Sequence, residues 1–236
     1  MAELLNALGQ PIGRPLPGWT PPPRPSREPM EGRWCRLVPL DPAAHGAALF
    51  QANSLDVEGR NWTYMGYGPF ATQADYMAWL ESVAGKDDPF YLTIIDTRSG
   101  EPVGVATYMR IDPPNGVIEV GNINYSPRLQ RTPAATEAMY LMMARAFALG
   151  YRRYEWKCDS LNTPSWRAAE RLGFRFEGIF RQAVIYKGRN RDTAWLSVID
   201  SEWPLLEAAF KAWLDPANFD ASGAQRRGLR ALREQT

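Results

Sequence analysis

Residues 126–138 read Ser-Pro-Arg-Leu-Gln-Arg-Thr-Pro-Ala-Ala-Thr-Glu-Ala, and their types suit one task, holding an anion at the start of a helix. Thr132 has the side chain of an N-cap, and Pro133 fits the first helical position because its missing N–H costs nothing there. Ala134, Ala135 and Thr136 are small, which leaves the first-turn amides open, and the helix dipole adds positive potential at them. Arg128 and Arg131 contribute formal charge. These are the properties of a pyrophosphate cradle. A second ordered stretch, 158–178, reads Cys-Asp-Ser-Leu-Asn-Thr-Pro-Ser-Trp-Arg-Ala-Ala-Glu-Arg-Leu-Gly-Phe-Arg-Phe-Glu-Gly. In it Asn162 or Thr163 caps a helix, Pro164 lies near its start, and Gly173 stops it.

The residues missing from the chain narrow the chemistry further. His45 is the single histidine, which removes Ser-His-Asp and Cys-His nucleophile systems and a histidine-based metal site. Cys35 and Cys158 lie far apart and give neither a disulfide framework nor a metal-ligand spacing. Catalysis must therefore use carboxylates, hydroxyls, phenols and backbone groups. Neither Gly-x-Gly-x-x-Gly nor Gly-x4-Gly-Lys-Ser/Thr occurs, so the common nucleotide loops are not supported.

These groups must be positioned by a fold, and the hydrophobic pattern outlines one. Segments 33–40, 90–96, 102–111 and 117–125 read as strands, with a Ser99-Gly100 hairpin turn and a second turn at 113–116. Helices are expected at 42–51 and at 72–84, the latter capped by Thr72. After Pro127 the order becomes helix (133–149), strand (152–158), helix (163–172), strands (174–186 and 192–199) and helix (201–214). An antiparallel meander feeding one strand–helix–strand unit predicts an α/β (α+β) fold: a mixed, mostly antiparallel sheet flanked by helices. Residues 62–70, Trp-Thr-Tyr-Met-Gly-Tyr-Gly-Pro-Phe, mark an irregular aromatic loop. Eight prolines between 11 and 29 make 1–32 an extended arm, laid on the domain or mobile. Residues 33–214 form the single domain, and 215–236 a basic tail read as surface material or an intersubunit arm, which leaves a homodimer open.

A length of 236 residues allows one well-buried domain. With 45% hydrophobic residues, 22% charged and a net charge of +1, nothing attracts nucleic acid or an anionic membrane in general. There is no apolar run of about 18 residues and no basic-then-apolar start. The expectation is a cytoplasmic protein with no nucleic-acid, membrane or metal partner.

The two motifs together resemble the GNAT superfamily of N-acetyltransferases. Gln130 and Ala135 match the ends of its Gln/Arg-x-x-Gly-x-Gly/Ala loop, with Pro133 in place of a glycine. Asn-x-x-Ser…Leu-Gly-Phe…Glu-Gly, from Asn162 to Gly178, resembles the second motif of its RimJ/RimL branch, and so do Ala-Thr-Glu-Ala at 135–138 and Asp-Ser-Glu-Trp at 200–203. The resemblance covers about 33–204. It implies a splayed sheet and acetyl-CoA as co-substrate, bound by Gln130, Arg131, Thr132, Ala134, Ala135, Thr136, Asn162 and Ser165. A free amide near Ile123 and Asn124 would hold the acetyl oxygen. Glu119, on the same strand face as Gly121 and Ile123, is the expected general base, Ser165 the expected acid and Tyr186 a second acid candidate. Asn61, Trp62, Tyr64, Tyr67 and Phe70 would line the acceptor side, where rings can pack a peptide or hold a cation. The implied reaction is acetylation of a primary amine, on a protein N-terminus or a small molecule. A non-catalytic acyl-CoA-binding module is the alternative.

Overall fold

The structure, a computed structural model, describes residues 4–234. Eight strands form one sheet: β1 (Met30–Glu31), β2 (Cys35–Pro39), β3 (Phe90–Asp96), β4 (Pro102–Asp112), β5 (Val117–Tyr125), β6 (Arg153–Asp159), β7 (Arg175–Tyr186) and β8 (Arg189–Ile199). Their spatial order is β1-β2-β3-β4-β5-β6-β8-β7, and every neighbouring pair is antiparallel except β5 and β6. The helices are α1 (Pro42–Asn53), α2 (Gln73–Val83), α3 (Pro133–Ala148), α4 (Thr163–Leu172), α5 (Trp203–Leu214) and the short α6 (Leu229–Arg233). Strand alternation divides the core in two. Leu92, Ala106, Ile118, Tyr154 and Leu196 turn toward α3, α5 and α6, whereas Tyr91 and Val105 turn toward α1 and α2.

Local chemistry sets the helix starts that matter to the site. The Thr132 hydroxyl accepts the Ala135 amide at 3.2 Å, with Pro133 at the first helical position of α3. Asn162 Oδ1 accepts the Ser165 amide at 3.2 Å, and Gly173 ends α4 at φ 104°, a value that suits glycine. On α3 the buried Glu137 accepts from the amides of Arg33, Trp34 and Cys35 at 2.9, 2.6 and 2.8 Å. One carboxylate thus fastens the entry of β2 to the central helix. His45, held neutral by burial, accepts the Asp41 amide through Nδ1 at 3.1 Å beside the start of α1.

Two connections differ from the sequence reading. Strand β8 begins at Arg189 rather than 192, because Lys187 and Gly188 both adopt positive φ (48° and 69°) and close a two-residue hairpin. The tail after 215 is packed on its own domain. Leu229 and Leu232 are buried in the main core, and Trp213 Nε1 donates to Gln225 Oε1 at 2.7 Å. The proline-rich arm lies on the domain: Arg145 donates to Glu28 O and Pro29 O at 2.6 and 2.8 Å, just before β1 joins the sheet edge.

Candidate active site

The parallel pair β5–β6 is where the sheet opens. Pairing runs from Val117↔Arg153 to Val120↔Trp156 and then stops, so residues 121–125 and 157–159 diverge. Strand β5 turns away through a bulge against β4, with Asn122 at φ 47°. Gly121 beside it leaves room for Met109, whose Sδ would lie 2.3 Å from a Cβ at that position. The Ser126 amide reaches Val103 O on the β4 side at 3.1 Å. Amides alternate along a strand, so that of Asn124 also points to β4 and that of Ile123 to the gap. The Asn124 side chain is 2% exposed, and neither its Oδ1 nor its Nδ2 has a partner among the described residues. A buried carboxamide at this position can bond to a water or to a ligand in the gap.

Both predicted motifs converge on this opening. On one side Arg131, at φ 61°, turns the chain into α3, and no described residue accepts from the amides of Arg131 and Ala134. Ala134 and Thr136 are buried in the first turn, and Thr136 Oγ1 accepts from Arg171 of α4 at 3.1 Å. The Gln130 side chain is spent elsewhere. Its Nε2 donates to Asn61 Oδ1 and to Tyr125 O, both at 2.9 Å, and Asn61 Nδ2 reaches the same carbonyl at 3.1 Å. These two carboxamides close the end of β5 rather than hold an anion.

On the other side the β6–α4 turn presents Asn162 and Ser165. The Trp156 indole donates to Ser165 Oγ at 3.0 Å. Tyr186 donates to Asp159 Oδ2 at 2.8 Å, and Asp159 Oδ1 accepts the Leu161 amide at 2.9 Å. Burial, followed by the Asp159 carboxylate, pushes the Tyr186 phenol up to about 12. Tyr186 thereby braces the turn that carries Ser165, and its proton is already committed.

Glu119 departs furthest from its expected role. It is 2% exposed and bound by two cations, Arg110 Nη1 at 2.7 Å and Lys157 Nζ at 2.8 Å. Lys157 also binds Glu155 at 2.7 Å and lies 3.7 Å from the centre of the Trp195 ring. Arg153 continues the chain of charges from Glu155 (2.6 Å) to Glu177. Glu119 is therefore the second of six charges in an alternating ion-pair chain across β4, β5, β6 and β7, and it already serves two cations. Lys157→Met would leave two carboxylates buried side by side, at the paired positions Glu119 and Glu155. The expected loss is about 4 kcal/mol of unfolding free energy by urea titration.

The aromatic loop straddles the opening, but its rings face two ways. The Tyr64 hydroxyl donates to Leu161 O at 3.1 Å and that of Tyr67 to Asn122 Oδ1 at 3.3 Å, while Lys187 Nζ ties Trp62 O at 2.7 Å. The loop is thereby fixed to β5, to the β6–α4 turn and to the β7–β8 hairpin. Trp62 and Phe70 turn the other way. They pack edge to face at 5.5 Å, and Phe70 meets Tyr76 at 5.4 Å in the core under α1 and α2. Of the predicted acceptor-side residues, Asn61 and Tyr64 reach the opening; Tyr67 touches it with its hydroxyl while its ring stacks on Trp79 at 4.5 Å, in the same core that Trp62 and Phe70 fill. Trp156, Lys157, Asp159 and Asn122 were not singled out from the sequence. The alternation of 155, 157 and 159 along one strand face was the available signal for two of them.

The Acetyltransferase (GNAT) domain family matches residues 36–175, a span that holds the first motif, most of the second and the fork between them. The crystal structure of a GCN5-related N-acetyltransferase from Brucella melitensis resembles this chain with a TM-score of 0.91 at 52% identity, covering 93% of this chain and 100% of that one. A GNAT-family acetyltransferase structure from Chromobacterium violaceum gives 0.77 at 39% identity, over 83% of this chain and 98% of that one. The N-acetyltransferase p20 of Bacillus licheniformis is 28% identical over 144 residues, 59% of this chain and 80% of that protein. The chain belongs to the GNAT family of acetyltransferases, and the splayed mixed sheet is that family's fold.

Proposed function

We propose that the chain transfers the acetyl group of acetyl-CoA directly to a primary amine, on a protein N-terminus or a small molecule, in a ternary complex. The observation that carries direct transfer is the state of the two thiols. Cys35 and Cys158 are both buried, and burial raises the pKa of each, so neither is a ready nucleophile for an acetyl-enzyme. The fork suits acetyl-CoA on its own features: open amides at Arg131 and Ala134, the orphaned Asn124 carboxamide, and a gap-facing Ile123 amide. Among proteins of the same fold at about one-fifth identity, RimL has been crystallised with coenzyme A and the microcin immunity acetyltransferase MccE with acetyl-CoA and AMP. The RimJ/RimL-like motif at 162–178 favours a peptide amino terminus among amine acceptors.

In this reading the coenzyme supplies an activated acetyl group and a thiolate leaving group. Arg131, Thr132, Ala134, Ala135 and Thr136 form the end of the site that takes the phosphates, and Asn162 lies along the arm. The Ile123 amide is placed to stabilise charge on the acetyl oxygen. Ser165 donates its proton to sulfur as the C–S bond breaks with its electron pair. The neutral amine forms the new C–N bond and loses its proton to solvent, from which Ser165 is reprotonated. Asn61, Tyr64 and Tyr67 face the incoming amine.

The test is thiol release from acetyl-CoA across a panel of peptides with free amino termini and small amines. Amine-dependent release with intersecting double-reciprocal lines is expected. Parallel lines would overturn direct transfer. Saturable acetyl-CoA binding without release by any amine would favour the non-catalytic binding module.

A further inference from the structure

We infer that Trp156 is a positioning residue for acetyl transfer: its indole N–H fixes the Ser165 hydroxyl so that the serine proton is available to the departing sulfur. This rests on the reading of Ser165 as the acid. Trp156 is the last residue of β6 still paired with β5, through Val120, so it stands at the fork itself. Its ring is 5% exposed and packs edge to face on Phe174 at 5.5 Å, which holds the indole in place from behind.

The hydrogen-bond inventory settles the direction of the contact. An indole N–H is a donor and nothing else, so at 3.0 Å the Ser165 oxygen must be the acceptor. A serine hydroxyl carries one hydrogen, and that hydrogen cannot lie on the line to Trp156. A free serine side chain visits three staggered wells, whereas this one is held by the indole at its oxygen and by Asn162 Oδ1 at its own amide, at 3.2 Å. No described acceptor is given a bond by the Ser165 hydroxyl at ordinary oxygen or nitrogen distance. Its one charge-stabilising influence is on a sulfur: the hydroxyl opposes the upward shift that burial imposes on the neighbouring Cys158 thiol. A hydroxyl already placed beside one sulfur is suited to a second one arriving along the gap. The glutamates of the ion-pair chain lie on the opposite strand face, with Lys157, and do not compete for this hydrogen.

The experiment is a double-mutant cycle on the full chain with acetyl-CoA and the best amine of the panel. Trp156→Phe keeps a ring and removes the N–H. We expect kcat to fall about tenfold with the KM for acetyl-CoA within about twofold, and the same substitution in a Ser165→Ala background to change kcat by less than about twofold. Equal losses in both backgrounds would mean that Trp156 only supports the fold, and an unaltered kcat in the single variant would also overturn the inference. If Ser165→Ala itself leaves kcat unchanged, the reading of Ser165 fails first. Trp156→Leu replaces the Phe variant should that one not fold. Ser165→Thr, which retains an acceptor hydroxyl, is expected to recover most of the activity lost by Ser165→Ala.

Discussion

Ser165→Ala is expected to lower kcat about 100-fold while the KM for acetyl-CoA changes by no more than about twofold. General acid catalysis by a positioned group contributes roughly 10²–10⁴-fold. The lower end fits here because a thiolate is a fair leaving group without help. The variant also leaves the Trp156 indole without its acceptor in a buried position, at a cost of about 1 kcal/mol in stability. The two consequences separate cleanly: thermal unfolding reads the second and single-turnover thiol release reads the first. A variant that loses about 2–4 °C of Tm but retains wild-type turnover removes Ser165 from the chemistry. Tyr186 offers a contrast. Its proton is engaged by Asp159, so Tyr186→Phe loosens the β6–α4 turn and acts on Ser165 at one remove.

This division of roles shows how far the sequence could be read. Element identity was legible because caps, prolines and periodicity agree locally. Thr72, Thr132 and Asn162 cap the helices expected of them, and β3 and β5 have the bounds their hydrophobic runs predict. The convergence of the two motifs was legible for the same reason, since both flank strands whose ends the topology brings together. What each polar side chain does there was not legible, because it depends on cross-strand register. Glu119 and Lys157 lie far apart in sequence, and only the β5–β6 register makes them an ion pair. Gln130 matches a coenzyme-loop pattern, yet the local turn directs it to Tyr125 O and Asn61. The aromatic loop failed differently. Its composition announced rings at an irregular segment, but nothing in the spacing tells which rings face the gap and which face α1 and α2.

Glu137 is the residue whose importance the chain disguised most, and removing it should have the largest effect on stability. It is the one acidic residue of α3, on a face otherwise filled by Ala134, Ala138, Met142 and other apolar side chains. An acid in that place is costly unless fully paired. Its pairing is three backbone amides, at 2.9, 2.6 and 2.8 Å, from the turn that enters β2. Gly32 makes room for it, since a Cβ at that position would come within 2.5 Å of the carboxylate. Glu137→Ala orphans the three amides together. At about 1–3 kcal/mol for each donor left unsatisfied, with the Cys35 amide buried and those of Arg33 and Trp34 partly so, the loss is about 5 kcal/mol, a large share of what a single domain has. Glu137→Gln keeps one acceptor oxygen and turns an N–H₂ toward an N–H, so about half that loss is expected. Urea midpoints of the two variants, compared at equal slope, give the measurement. An alanine variant within about 1 kcal/mol of the parent would mean that the 32–35 turn finds other acceptors, and that Glu137 is not what fastens it to α3. Because α3 also carries the Thr132–Thr136 turn, the same substitution should weaken acetyl-CoA binding before it unfolds the domain. The helix would lose its attachment to β2 while keeping its Thr132 cap, where the phosphates are proposed to bind.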